Sequence, residues 1–270
     1  MPFSVLMSLY TKERPDFLRQ SLDSIFDQTL PPDEVVLIED GPLTEELYSV
    51  VEEYSKNHRE MRVVSLPVNG GLGKALNEGL KHCSYELIAR MDTDDVAKSH
   101  RFQKQVSFME SHPEIDSCSA WIEEFIDTVD NIVSIKKIPE TNAEILNYGK
   151  SRCPINHPAV IYRKSAIIDS GGYGPFPEDY YLWGRMLTKG YKLHNIQESL
   201  LYFRSSKDMY KRRGGWKYYQ DMLKLQKEFY SIRYTSYPEY LRNITIRTAV
   251  ALLPNSIRAF IYKTFLRDKT

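Results

Sequence analysis

The chain has 270 residues, 42% of them apolar, and its 36 Lys/Arg are matched by 36 Asp/Glu. Such a length buries a full core, as one large domain or a domain with an appendage, and excludes a disordered or low-complexity chain. Cys83, Cys118 and Cys153 lie far apart with neither a CxxC pair nor an even framework, which argues for a reducing compartment and against structural zinc.

The start, Met1 to Tyr10, lacks a basic n-region and a cleavage site, so it reads as a first strand and not as a signal peptide. From there apolar runs alternate with helical patterns. Strands are expected over Phe3–Tyr10, Glu34–Asp40, Met61–Leu66 and Tyr85–Asp92, and helices over Pro15–Gln28, Thr44–Lys56 and Gly73–Cys83. This βαβαβαβ series predicts an α/β fold with a mostly parallel central sheet flanked by helices. In such sheets ligands sit at the carboxyl ends of the strands. The segments Tyr10–Glu13, Asp40–Pro42, Asn69–Lys74 and the acidic run from Asp92 should therefore meet in one crevice.

Charge is unevenly spread. Residues 204–270 hold fifteen Lys/Arg against five Asp/Glu, so the chain ends in a basic, mainly helical appendage. Its last part mixes cations with bulky apolar residues, yet no apolar stretch reaches the ~20 residues that span a bilayer. Two readings stand: adsorption to an anionic membrane surface, or a helical tail packed on its own domain. Nucleic acid is not an expected partner, because the tail carries no recognised binding motif.

The run Arg90-Met91-Asp92-Thr93-Asp94-Asp95 sets three carboxylates within four positions, where repulsion makes them a poor choice for stability alone. A hard divalent cation bridging carboxylates to a substrate diphosphate explains them; the simpler account is an exposed turn with Asp95 capping a helix that begins near Ser99. Asn69-Gly70-Gly71-Leu72-Gly73-Lys74-Ala75 resembles a phosphate loop but has Val68 and Ala75 where a Walker A needs Gly and Ser/Thr. A dinucleotide fingerprint fails as well. What is left is a glycine turn opening a helix, whose N–H groups and Lys74 can face an anion, or which merely shapes a tight turn. Asp92-Thr93-Asp94-Asp95-Val96 also fits the DxDx[TV] pattern of haloacid dehalogenase-like phosphatases. That superfamily carries the nucleophile on its first strand and adds a later acidic motif, and neither is found. A non-catalytic sugar- or membrane-binding module is the remaining alternative.

Ser4 to Tyr10, Ile38-Glu39-Asp40-Gly41, Asn69 to Asn77, Met91 to Asp95 and Pro177-Glu178-Asp179-Tyr180-Tyr181-Leu182-Trp183 together resemble the successive motifs of family 2 glycosyltransferases, in order, over residues 3 to about 205. Arg152-Cys153-Pro154-Ile155-Asn156-His157-Pro158 and Arg212-Arg213-Gly214-Gly215 add a closer likeness to bacterial O-antigen and capsule enzymes, β-1,3-galactosyltransferases among them. The resemblance implies a GT-A domain over 1–205, with its nucleotide-binding part over about 1–100 and its acceptor part over about 101–205, followed by the 206–270 appendage. It implies transfer of a hexose, galactose for instance, from a UDP-sugar to a saccharide acceptor, lipid-diphosphate-linked, with inversion. It also implies a peripheral site on the inner face of the bacterial membrane.

On the matching positions the resemblance assigns Mn²⁺ or Mg²⁺ to Asp94, with Asp92 on ribose or metal and Asp95 an alternative ligand. Asp40 would accept the uracil N–H, an ordinary Asp-Gly turn being the alternative; Tyr10 would stack on the base, or serve only as core of the first strand; and Lys74 would meet the diphosphate. Asp179 would be the general base, with Glu178 binding or orienting the acceptor. A helix start also attracts acidic residues on electrostatic grounds alone. His157 and Trp183 would lie on the acceptor side, although a hydrogen-bonded structural histidine fits His157 equally well. Many members carry a histidine after the last core strand; here the chain reads Tyr202-Phe203-Arg204-Ser205-Ser206.

Overall fold

Strand β1 (Phe3–Leu9) is buried at nearly every position, as a central strand covered on both faces must be. The computed structural model describes residues 1–205 and 215–252. The Arg212-Arg213-Gly214 part of the closer likeness and the tail 253–270 lie outside those residues. After β1 come α1 (Pro15–Phe26), β2 (Glu34–Glu39), α2 (Glu45–Asn57), β3 (Met61–Ser65), α3 (Leu72–His82) and β4 (Leu87–Arg90). Each expected element is present, with ends within about two residues of those read from sequence. Local chemistry sets the starts: Pro15 opens α1, and the Thr44 hydroxyl accepts the Leu47 N–H at 3.3 Å to cap α2.

The chain continues through β5 (Val96–Ala97), α4 (Arg101–Ser111), β6 (Ser117–Phe125), β7 (Ile132–Lys136), α5 (Asn142–Gly149), β8 (Ile161–Arg163), α6 (Lys164–Asp169), α7 (Glu178–Thr188) and β9 (Leu193–Arg204). One sheet runs β3-β2-β1-β4-β8-β6-β9-β5, with β7 paired to β6. Parallel pairing joins β3, β2, β1 and β4, and joins β6 to β9; β8 opposes both β4 and β6. Six strands therefore point one way, and β5, β7 and β8 run against them. The carboxyl ends of β1, β2, β4 and β9 consequently share one edge.

Helices α1, α2 and α4 cover one face through Leu18, Leu22, Val51 and Phe102, while α3, α6 and α7 cover the other through Leu76, Leu80, Ile167 and Trp183. Burying each such side chain is worth about 1.5–3 kcal/mol. The appendage is built of α8 (Trp216–Ser231) and α9 (Tyr237–Leu252). It is tied down: Phe229 packs edge-on to Tyr180 at 5.1 Å, Tyr234 donates to the Leu146 carbonyl at 3.1 Å, and Asn243 donates to that of Lys150 at 2.7 Å. Arg247 donates to the Ser151 carbonyl at 3.0 Å. Over residues 215–252 the appendage is thus a packed helical pair. Among the described residues no helix is long and apolar enough to cross a membrane.

Candidate active site

The acidic turn leaves β4 at Arg90, and the register Leu6↔Arg90 brings it beside the end of β1. Arg90 is fully buried, donates to the Leu6 carbonyl at 3.3 Å and forms an ion pair with Asp92. An arginine in a buried strand is expensive unless paired; here it is the fixed counter-charge of the turn. Arg101, also fully buried, donates to the Arg90 carbonyl at 2.6 Å. Ser21 accepts no such load but donates to the Asp92 carbonyl at 2.9 Å, and Thr93 donates to Glu13 at 3.0 Å, which fixes the turn from below.

Oxygens of Asp92, Asp94 and Asp95 all lie within 4.8 Å of one another. Burial, then repulsion from Asp92 and Glu13, pushes Asp94 up to about 7. Asp95 is 0% exposed and is pushed well up by burial and by Asp94 and Asp92. It does not cap α4, whose N-cap is His100; one oxygen accepts the Arg204 backbone N–H at 2.8 Å, and the other is buried without a partner. The raised carboxyls of Asp94 and Asp95, one Asp95 oxygen having no hydrogen-bond partner among the described residues, are hard donors that with Asp92 fit a divalent cation.

Arg204 stands where the resemblance suggested a histidine. Its guanidinium donates to the Asp94 carbonyl at 2.7 Å and to Gln20 at 2.7 Å, and lies over the rings of Phe17 at 3.9 Å and Phe125 at 4.6 Å. It therefore clamps the back of the acidic turn. Neither this role nor that of Arg90 was assigned from sequence, although a lone arginine inside the apolar run before three aspartates is itself a signal of pairing.

Beside this turn, β2 delivers Asp40, which is 3% exposed. Its two oxygens accept the N–H groups of Gly70 at 2.7 Å and Gly71 at 2.9 Å. The anion faced by these glycine amides is thus the protein's own carboxylate, and a uracil N–H reaching Asp40 has to share one of its oxygens. Gly41 has φ +85°, and a Cβ there would stand 2.5 Å from the Asn69 nitrogen. Gly41→Ala is expected to cost more than about 2 kcal/mol, the left-handed penalty plus displacement of the glycine turn. Denaturant unfolding should register that loss. Lys74 is exposed on the first turn of α3, and Tyr10, 39% exposed, stands at the end of β1.

The same helix start meets the second carboxylate pair. A Cβ on Gly73 would lie 2.7 Å from the Gly174 carbonyl and 3.2 Å from Glu178 Cβ, so the absent side chain lets the loop before α7 approach. Asn77 holds that loop with two bonds to the Tyr173 backbone, donating to its carbonyl at 2.9 Å and accepting its N–H at 2.8 Å. Burial, then repulsion from Asp179, raises Glu178 to about 7, and the Asp92 charge adds to this. Glu178 thus lies beside the glycine turn that opens α3. Its neighbour Asp179 accepts a hydrogen bond from Cys153 at 3.5 Å, and burial raises its pKa.

His157 and Trp183 differ from the acceptor-side expectation. His157 is 8% exposed, with Nε2 3.1 Å from the Tyr173 hydroxyl, which itself donates to Tyr162 at 3.2 Å. Burial and the nearby Arg90 hold its pKa well below the ordinary range, so it is neutral. Trp183 is 0% exposed in the core beneath α7 and offers no surface to an acceptor.

A parallel α/β half-sheet with an aspartate cluster at its carboxyl edge, and a further carboxylate pair across the crevice, defines a GT-A nucleotide-sugar transferase. The chain matches the glycosyl transferase family 2 model over residues 4–169 and belongs to that family. It is 43% identical over 267 residues to the Escherichia coli UDP-Gal:alpha-D-GlcNAc-diphosphoundecaprenol beta-1,3-galactosyltransferase, covering 98% of this chain and 96% of that one. It is 38% identical to the amylovoran biosynthesis glycosyltransferase AmsE of Erwinia amylovora, over 97% and 98% of the two chains. Staphylococcus aureus TarS 1-349 with UDP-GlcNAc shares the fold at TM-score 0.64 and 18% identity, covering 98% of this chain and 73% of that one. The Pyrobaculum calidifontis mannosyltransferase PcManGT, with GDP-Man and Mn²⁺, does so at 0.63 and 16%, over 95% and 71%. The phosphatase alternative is overturned by this membership, and its pattern follows the fourth strand, not the first.

Proposed function

We propose that the protein is an inverting galactosyltransferase that moves galactose from UDP-galactose to C3 of a GlcNAc carried on undecaprenyl diphosphate, during surface-polysaccharide assembly. The observation that carries this reading is the meeting, across the start of α3, of the acidic turn with the Glu178-Asp179 pair. A donor diphosphate and an acceptor hydroxyl can be held face to face there. The donor and acceptor identities rest on the near full-length likeness to the E. coli enzyme.

Asp94, Asp92 and Asp95 would hold Mn²⁺ or Mg²⁺, which when bound offsets the charge developing on the leaving UDP. Arg90 and Arg204 keep those carboxylates from splaying apart. Tyr10 stacks on the base, Asp40 presents an oxygen to its N–H, and Lys74 lies near the phosphates. Asp179 takes the proton of the acceptor hydroxyl as that oxygen attacks the anomeric carbon from the face opposite UDP, and Glu178 orients the acceptor. Residues 1–205 form the catalytic domain in this reading, and 206–270 an appendage that brings the enzyme to the cytoplasmic face of the membrane.

A panel of nucleotide sugars with Mn²⁺ tests the reading. UDP-galactose is expected to raise the melting temperature above any GDP- or CMP-sugar, since a ligand of the folded state stabilises it, and to give a β-1,3-linked product on GlcNAc-diphosphate-lipid. A larger shift and turnover with UDP-GlcNAc or UDP-glucose would refute the choice of donor.

A further inference from the structure

Two of the most exposed aromatic side chains stand at the rim of the crevice: Phe176 is 52% exposed and Trp216 is 71% exposed. Phe176 lies two residues before Glu178 and packs against Tyr218 of α8 at 6.1 Å. Trp216 opens the same helix and rests on Tyr219 at 5.5 Å. Both ring pairs are thus carried by the first turn of α8, a step between the loop before α7 and the appendage at which Phe176 and Trp216 are bare to solvent. Tyr219 in turn shares a 2.7 Å hydrogen bond with Thr248, near the end of α9. The described chain thus ends on the same side as the step. The sequence that follows, 253–270, has Arg258, Lys263, Arg267 and Lys269 against Asp268 alone. Lys217, with its side chain 90% exposed, adds charge within the step, partly offset by Asp221 at 3.5 Å.

Aromatic rings beside cations are the composition that settles at an anionic membrane–water boundary, the rings at headgroup depth and the cations on the phosphates. We propose that Phe176 and Trp216 form an interfacial step that seats on the anionic bilayer and presents Glu178 and Asp179 to an acceptor held in that bilayer. This rests on the lipid-linked acceptor proposed above. Core burial does not explain the rings, and the occupant is set by charge complementarity with the basic composition of residues 253–270, which follow a described end beside the step, and by adjacency to Glu178 and Asp179.

The test uses the full chain with phosphatidylcholine vesicles, with or without phosphatidylglycerol. Wild type is expected to co-sediment with the anionic vesicles and to release as salt rises. Trp216→Ser and Phe176→Ser should each weaken that binding about tenfold, the scale of withdrawing one large apolar side chain from its site. KM for a polyprenyl-diphosphate acceptor in vesicles should rise in parallel. Transfer to a water-soluble, short-chain acceptor and the UDP-induced thermal shift should stay at wild-type level, which also shows that the variants fold. Tyr48→Ser, which removes an exposed aromatic from α2 on the opposite layer, should change nothing. Vesicle binding unaltered in both rim variants overturns the proposal, as does an equal loss in Tyr48→Ser. Loss of short-chain transfer with vesicle binding intact also overturns it and makes the step a sugar subsite. If wild type transfers galactose to neither acceptor, it is the proposed function that fails, and vesicle binding still judges the step.

Discussion

Asp179→Asn is expected to lower turnover by about 10²–10⁴-fold, the usual contribution of general-base assistance, while UDP-galactose binding persists. The substitution keeps the side-chain shape and the contact from Cys153 but removes the charge that accepts the proton. Glu178→Gln is the informative partner. Glu178 stands against Gly73 at the start of α3 and has its pKa raised to about 7 by burial and by Asp179, whereas Asp179 accepts a hydrogen bond from Cys153. Glu178→Gln should therefore alter acceptor KM and the acid limb of the pH profile more than it alters the limiting rate. Stopped-time assays at saturating acceptor, with donor affinity by calorimetry, separate the two. A collapse of turnover confined to Glu178→Gln would transfer the base role to Glu178. The raised value near 7 makes that carboxylate chemically able to take it.

The first half of the fold was legible because each βαβ unit is local. Its central strands are apolar runs, α1 opens on a proline, α2 on a threonine cap and α3 on a glycine turn, and a parallel connection has one favoured hand. The acidic turn was legible for a similar reason, since Asp92, Asp94 and Asp95 are neighbours in sequence and in space. What the sequence hid lies in pairings across long separations. Arg204 reaches Asp94 and Asp95 only because β9 ends on the same edge as β4, and nothing near either residue announces it. The engagement of Asp40 by Gly70 and Gly71 depends on how the turn after β3 folds back over β2. Trp183 illustrates a different difficulty: adjacent residues of a helix point apart, so a motif that starts at Glu178 on the crevice runs into the core within two turns. His157 had two open readings, and burial against Tyr173 favours the structural one.

The counter-charges explain why the metal prediction is specific to one aspartate. Asp92 already has Arg90, and one oxygen of Asp95 already has the Arg204 amide; among the described residues no side chain forms an ion pair with the Asp94 carboxylate, and burial together with Asp92 and Glu13 outweighs the Arg204 charge, so its proton is held up to about 7. A divalent cation has to displace that proton. Apparent Mn²⁺ affinity should consequently fall roughly tenfold per pH unit below about 7 and level off above it. The same shift fixes the sign of the effect on stability. A carboxyl whose folded pKa lies above its unfolded value favours the fold most below the unfolded value, 3.8, and loses that contribution as pH rises towards 7. Metal-free protein should therefore lose part of its stability between about pH 4 and pH 7, and saturating Mn²⁺ should restore it. Asp94→Asn is expected to remove both the pH-dependent step and most Mn²⁺ binding without unfolding the chain, because asparagine needs no counter-charge there. Activity should fall with the metal, by a factor of about 10²–10³ if charge neutralisation of the leaving diphosphate is worth the ~3–4 kcal/mol typical of one electrostatic contact at a transition state. Titration of Mn²⁺ by its electron spin resonance signal, at pH 6 and pH 8, measures the affinity independently of turnover. Equal affinity at the two pH values, or wild-type transfer in excess chelator, would show that Asp94 serves the turn and not a metal.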